Sequence, residues 1–232
     1  FIRNLSRSPD EKPVFVSEYG HASQNNVFEE YRKFTENGYR SDGEDATLYC
    51  SMAERFERDW KTLGFDGVYS FAEDFLKASM AAQCRLRQIN FDTVRSNPKI
   101  CGYNITGLLD HALTGEGLWT YWRIIKPGIG DAIPEGLAPL RWCLFCEKNH
   151  VYARQQFKIE AVLANEDVLK PGKYPAAFRI RGKNGIVWQK DCEITLPENG
   201  YGGMPPLAVS VLTENIVIDD PGEYEFAASL LS

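Results

Sequence analysis

The stretch Lys12-Pro-Val-Phe-Val-Ser-Glu-Tyr-Gly20 is an apolar run that ends in a carboxylate, an aromatic ring and a glycine. Its first part, Pro13-Val-Phe-Val-Ser17, is apolar on both faces, as strands of parallel sheets tend to be. Barrel enzymes hold their catalytic groups at the C-terminal ends of such strands. The position of Glu18 therefore predicts a catalytic carboxylate, and the alternative is a strand-end glutamate that reaches solvent or pairs with an arginine.

Two long amphipathic segments follow this strand. Residues from Asp45 to Leu63 carry apolar side chains at three- and four-residue spacing, which predicts one helix with a buried face. Ser70 and Glu73 have the spacing of a capping box for a second helix, and Asn97-Pro98 is expected to stop that helix. The next apolar run, Lys99–Thr106, is predicted to be a strand. The order strand, helix, helix, strand is typical of a parallel α/β layer.

From about Val151 the sequence changes to alternating segments that are separated by Pro-Gly and Asn-Gly turns. Regular short strands with turn signals between them are typical of an antiparallel sandwich of immunoglobulin-like type. We therefore predict two domains, residues 1–148 and 149–232. The predicted strands of the second domain are Ala153–Ala164, Tyr174–Arg181, Ile186–Thr195, Leu207–Ile218 and Tyr224–Leu230.

Three segments, in order along the chain, resemble glycoside hydrolases of family 2, the group that includes β-galactosidases and β-glucuronidases. Residues 12–20 resemble the seventh-strand motif of their barrels, and Asn97–Asp110 resembles the eighth strand. Gly115–Trp122, followed by Lys126-Pro127, resembles the loop that completes the rim of the active site. The resemblance covers residues 10–146 directly. It implies a partial (β/α)8 TIM barrel, strands 7 and 8 with their helices, followed by the immunoglobulin-like β-sandwich.

The resemblance implies a retaining enzyme that hydrolyses O-glycosidic bonds in oligo- or polysaccharides, with Glu18 as the nucleophile. A retaining glycosidase needs a second carboxyl group as acid and base. In the family that glutamate follows an asparagine at the end of the fourth strand, and no segment of this chain corresponds to it. We therefore expect a C-terminal piece of a larger enzyme that is inactive alone. The alternatives are a carbohydrate-binding or adhesion module and a hydrolase-like scaffold for protein interactions.

Several side chains near these motifs are candidates for sugar contacts. The amide of Asn104 could bond a sugar hydroxyl, or it could satisfy backbone groups at the strand end. Either Trp119 or Trp122 could stack on a sugar ring, although large aromatic side chains also fill cores. Family members often carry tryptophan on the eighth strand, where this chain reads Tyr-Asn-Ile-Thr at 103–106, so the sugar stays open. The candidate substrate-binding residues are His21, Asn104, Glu116, Trp119 and Trp122.

The composition and charge of the chain indicate which classes of binding partner to expect. The formal net charge is −6 and the isoelectric point is near 5.2, which argues against nucleic acid because its binders carry concentrated basic surfaces. No run of eighteen apolar residues is present, so no membrane span is expected. No cofactor or metal is expected, because glycoside hydrolysis needs only two carboxyl groups. The expected partners are a carbohydrate and the remainder of the parent polypeptide.

One pair of cysteines is closely spaced in the sequence. Cys143-Leu-Phe-Cys146 is predicted to lie on an apolar helix with both thiols packed as small hydrophobic groups, and a metal or redox pair is the alternative.

Two barrel strands cannot close a barrel, so the isolated chain is expected to self-associate through its open sheet edges. The resemblance suggests a secreted or periplasmic bacterial protein.

Overall fold

The computed structural model describes residues 12–39, 43–111, 114–200 and 205–231. These residues form a mixed fold of helices and sheets, and no barrel is closed among them. The elements are β1 (Val14–Tyr19), α1 (Val27–Glu36), α2 (Glu44–Thr62), α3 (Ala72–Arg95), β2 (Ile100–Ile105), α4 (Ile129–Gly136), β3 (Leu140–Cys146), β4 (Phe157–Asn165), β5 (Gly172–Gly182), β6 (Gly185–Leu196), β7 (Ala208–Ile216) and β8 (Tyr224–Leu230).

The chain divides into two compact units. The helical unit consists of the described residues within Val16–Asn90 and Tyr103–Pro134. The sheet unit consists of the described residues within Phe1–Phe15, Phe91–Gly102 and Glu135–Ser232. The boundary predicted between residues 148 and 149 lies inside the sheet unit, in the connection between β3 and β4.

The predicted strands around Glu18 and Asn104 are present as β1 and β2, which form a two-stranded sheet. The Val14 N–H donates to the Lys99 carbonyl at 2.9 Å, and the Thr106 N–H donates to the Tyr19 carbonyl at 3.0 Å. The first bond joins the N-terminal ends of the two strands, and the second joins their C-terminal ends. The strands β1 and β2 therefore run in the same direction. Both bonds imply one register, in which Glu18 lies beside Asn104.

The helix predicted from Asp45 to Leu63 is confirmed as α2. Its buried face packs with α1 around Phe34, Tyr49 and Leu76, as the three- and four-residue spacing requires. The second predicted helix is also present, as α3, but Glu73 uses its carboxylate differently from the predicted capping box. That carboxylate accepts hydrogen bonds from Arg32 at 2.7 Å and from the Asn26 amide at 3.1 Å, and so ties α3 to α1.

The five strands predicted beyond Val151 are present as β4 to β8. They join β3 in two antiparallel sheets, ordered β3-β4-β7 and β6-β5-β8. The two sheets share one hydrophobic core, built by alternate residues such as Ile159 and Leu163 of β4 and Phe178 of β5. The other face of β4 carries Val162, which is buried with Cys143 in a second, smaller cluster.

The helix predicted for Cys143-Leu-Phe-Cys146 is wrong, because these residues are the end of β3 and Cys143 pairs with Val162 of β4. Short apolar runs fit a buried helix and a buried strand equally well, and Trp142 and Phe145 favour the strand. Three residues apart on a strand, the thiols face opposite sides: Cys143 is buried and Cys146 is exposed. The pair therefore cannot hold one metal ion between its sulfur atoms.

No helix in the described part of the chain is both long enough and apolar enough to cross a membrane. Within the same residues, no three or more His, Cys, Asp or Glu side chains are grouped as metal ligands would be.

Candidate functional site

Glu18 and Asn104 occupy the second-to-last positions of β1 and β2. The register places them side by side, and paired residues of adjacent strands project to the same face of a sheet. Both residues are solvent-exposed. A carboxylate and an amide are thus presented together at the C-terminal edge of two parallel strands, where an approaching polar ligand can contact both.

The chain after β1 turns back into the helical unit. His21 is half-buried, and its carbonyl accepts a hydrogen bond from the Gln83 side-chain amide at 2.8 Å. Two residues later, the Ser23 N–H donates to the Gly115 carbonyl at 2.8 Å. The loop that carries His21 is therefore bonded directly to the loop that follows β2.

The loop after β2 carries Glu116, which is half-buried. Its carboxylate lies 4.0 Å from Nε2 of His111, and its carbonyl accepts a hydrogen bond of 2.6 Å from Arg87 of α3. The loop is closely packed: a Cβ on Gly117 would lie 2.3 Å from the Asp110 amide nitrogen. This crowding leaves no room for a side chain at that position, which explains the glycine.

The two candidate tryptophans have different surroundings. Trp122 packs its ring against Phe34 at 5.0 Å and Tyr121 at 5.7 Å, at the edge of the core cluster of α1 and α2. This is the core alternative considered for a large aromatic side chain. Trp119 is half-buried, and its backbone bridges to Leu109 and Ile125 within the loop that follows β2. Trp119 therefore stays a candidate for a sugar contact, whereas the Trp122 ring packs against aromatic residues of the core cluster.

A buried ionic cluster that the sequence analysis did not identify lies directly behind these loops. Nζ of Lys126, which is fully buried, lies 2.8 Å from Oδ1 of Asp110, whose side chain is 2% exposed. The same ammonium donates to Oγ of Ser23 at 3.0 Å, to Oε1 of Gln83 at 3.2 Å and to the Gly115 carbonyl at 2.8 Å. One lysine thus joins both loops to α3.

Gln83 and Arg87 extend this cluster along one face of α3, where residues four apart are neighbours. Nε2 of Gln83 lies 2.8 to 3.3 Å from carbonyl oxygens of His21, Gly115, Glu116 and Gly117. The Arg87 guanidinium donates to the Thr106 and Glu116 carbonyls. Since buried carbonyl groups need partners, these side chains add to the backbone hydrogen bonds that the loops already make.

Burial also shifts the proton affinities in the cluster. Loss of hydration raises the pKa of Asp110 and lowers the pKa of Lys126, and the ion pair between them opposes both shifts. Burial raises the pKa of Glu30 to about 7, with smaller contributions from the charges of Glu29 and Asp110. Burial likewise raises the pKa of Tyr49, which lies among the same charges.

Replacing Glu30 by glutamine is expected to remove a pH dependence of stability. The folded chain binds a proton at Glu30 below about pH 7, whereas the unfolded chain binds it only below about 4.5. Stability therefore falls as the pH rises between these values, by roughly 3 kcal/mol at about 1.4 kcal/mol per pKa unit. Denaturant unfolding from pH 4 to 8 should show a flatter curve for the variant and a higher free energy of unfolding above pH 7.

Glu36→Gln is the matched control for this experiment, because Glu36 is an exposed glutamate on the same helix. Its curve should follow that of the wild type. A Glu30→Gln curve parallel to the wild-type curve would contradict the role given to the Glu30 carboxyl.

Sequence signals for this cluster were weak. In the sequence, Lys126 stands out only as part of a Lys-Pro pair, whereas a buried lysine in a folded chain is rare and indicates a specific partner.

Neither protein-family models nor curated proteins match this sequence. The function is therefore inferred from the residues of this chain and their geometry.

Proposed function

We propose that this chain is the C-terminal part of a retaining glycoside hydrolase resembling family 2, and that Glu18 is its nucleophile. The substrate class is the O-glycosidic bond of oligo- or polysaccharides. The observation that carries the proposal is the exposed Glu18 carboxylate beside Asn104 at the end of two strands that run in the same direction. Barrel enzymes collect their reacting groups at that edge.

The topology supports the barrel part of the proposal. The described residues between β1 and β2 include the helices α1, α2 and α3, and strands that run in the same direction require such a crossover. Parallel sheets are normally covered on both faces and contain more than the two strands β1 and β2. The remaining strands of the barrel would come from the parent polypeptide. Self-association of the isolated chain through its open strand edges belongs to the same proposal.

The two antiparallel sheets support the second part. Their shared core and alternating strands agree with an immunoglobulin-like β-sandwich following the barrel. Within the proposal this domain accompanies the catalytic one, as sandwiches do in many such hydrolases.

In the proposed mechanism, the Glu18 carboxylate attacks the anomeric carbon and the glycosidic bond breaks. The acid/base carboxyl group, supplied from outside this chain, protonates the leaving oxygen and later removes a proton from the water that releases the sugar. Such a pair stands about 5–5.5 Å apart. In this mechanism Asn104, beside Glu18, would bond a sugar hydroxyl. His21, Glu116 and Trp119 would contact the sugar from the two loops.

The experiment that tests this function is covalent trapping in the full-length protein. A 2-deoxy-2-fluoro aryl glycoside with a good leaving group should form the glycosyl-enzyme and hydrolyse it slowly, because fluorine destabilises the oxocarbenium-like transition state and removes the 2-hydroxyl contacts. Peptide mass spectrometry should then find the added sugar mass on Glu18. A panel of sugars also identifies the preferred substrate. Labelling of another carboxyl group, or turnover without any labelling, would contradict the assignment.

A further inference from the structure

The ammonium of Lys126 is surrounded by oxygen atoms from four separate places in the sequence. They are the Asp110 carboxylate, the Gly115 carbonyl, the Ser23 hydroxyl and the Gln83 side-chain oxygen, all within 3.2 Å of Nζ. The side chain has no exposed surface. An ammonium group has three hydrogens to donate, so this environment fully satisfies it without water.

These contacts connect the parts of the chain that carry the candidate sugar contacts. Ser23 lies two residues after His21, in the loop that follows β1. Gly115 precedes Glu116 in the loop that follows β2, and the two loops also bond to each other through the Ser23 N–H. Lys126 is therefore bonded to both loops at once, and Gln83 fixes the same stretch of backbone from α3.

We propose that Lys126 is a positioning residue, which sets the distance between the His21 loop and the Glu116 loop at the sugar-binding edge. This inference rests on the proposed glycosidase function. The lysine is fully buried and so does not itself contact substrate. Its effect passes through the backbone of residues 21–23 and 115–117, whose carbonyl and hydroxyl oxygens it and Gln83 hold.

The effect should be large because the transition state depends on accurate placement. A displacement of about 1 Å in groups that contact substrate costs on the order of 100-fold in rate. Without the ammonium, the Gly115 carbonyl and Ser23 hydroxyl lose a common partner, and the loops lose one of the groups that joins them.

The test uses the full-length protein with Lys126→Met, Lys126→Met/Asp110→Asn and the control Arg141→Met. Arg141 pairs with Asp92 at 2.8 Å in the sheet unit, so its loss removes a partly buried ion pair far from the two loops in sequence. All variants are assayed on aryl glycosides at a temperature where thermal unfolding shows each to be folded. We expect kcat/KM to fall about 100-fold for both Lys126 variants and to stay within about twofold of wild type for Arg141→Met.

The double variant separates positioning from stability. Asp110→Asn removes the unpaired buried charge and should restore part of the stability, but it cannot restore the bonds to Ser23 and Gly115. Recovery of wild-type kcat/KM in the double variant, or an equal loss in Arg141→Met, would overturn the positioning role while wild-type activity still supports the glycosidase. A wild-type protein that is inactive on every glycoside would overturn both proposals.

Discussion

Replacement of Glu18 by alanine in the full-length protein is expected to reduce the turnover of aryl glycosides by roughly 10⁴-fold or more, as loss of a catalytic nucleophile generally does. Azide should restore turnover. The shorter side chain leaves space beside the anomeric carbon for the azide anion, which then forms a C–N bond as the bond to the aryl oxygen breaks. Because azide enters from the face that the carboxylate occupied, the product should be a glycosyl azide of inverted configuration.

Glu193→Ala is the control for this experiment. Glu193 is an exposed glutamate on β6 that pairs with exposed Lys173 at 2.8 Å, and exposed ion pairs contribute little to stability. Its activity should equal that of the wild type, with or without azide. Unchanged activity of Glu18→Ala, or rescue that yields an azide of retained configuration, would rule out Glu18 as the nucleophile and favour a carbohydrate-binding or scaffold role.

The sequence predicted best those elements whose pattern is long or whose ends are marked. The 19-residue helix α2 has enough turns for its spacing to be unambiguous, and the strands β5 to β8 are bounded by Pro-Gly or Asn-Gly turns. The seven residues of β3 had neither advantage. β4 begins at Phe157 rather than Ala153, because residues 152–155 form a turn in which Arg154 has a φ of 66°.

The features of the candidate site also differ in how well the sequence predicts them. The position of Glu18 near the end of a strand can be predicted from sequence, because a strand and the residues that end it are neighbours along the chain. The cluster of Lys126, Asp110 and Gln83 could not be predicted, because these three residues meet only when the chain folds and no local pattern marks residues so far apart in sequence. Trp122 shows a different limit of prediction from sequence. A tryptophan can stack on a sugar or fill a core equally well, and its contact with Phe34 shows that Trp122 packs against the core.

Replacement of Lys126 by methionine is expected to lower the free energy of unfolding by about 3–5 kcal/mol, the usual result of removing one partner from a buried ion pair. Methionine fills a similar volume but leaves the Asp110 carboxylate, 2% exposed, without its counter-charge. Denaturant unfolding monitored by circular dichroism measures the loss. Asp110→Asn in the same chain should recover part of it, since a neutral amide is less costly to bury than an unpaired charge.

The pH dependence of this loss identifies its cause. Burial already raises the pKa of Asp110, and the Lys126 ammonium opposes that shift, so the pKa should rise further in Lys126→Met. The folded variant would then hold a proton at pH values where the unfolded chain has released it, and its stability would rise as the pH falls towards 4. The difference from wild type should therefore shrink in acid, and Lys126→Met/Asp110→Asn should lack this trend. A loss that stays constant with pH would mean that lost packing, and not the unpaired Asp110 charge, destabilises the variant.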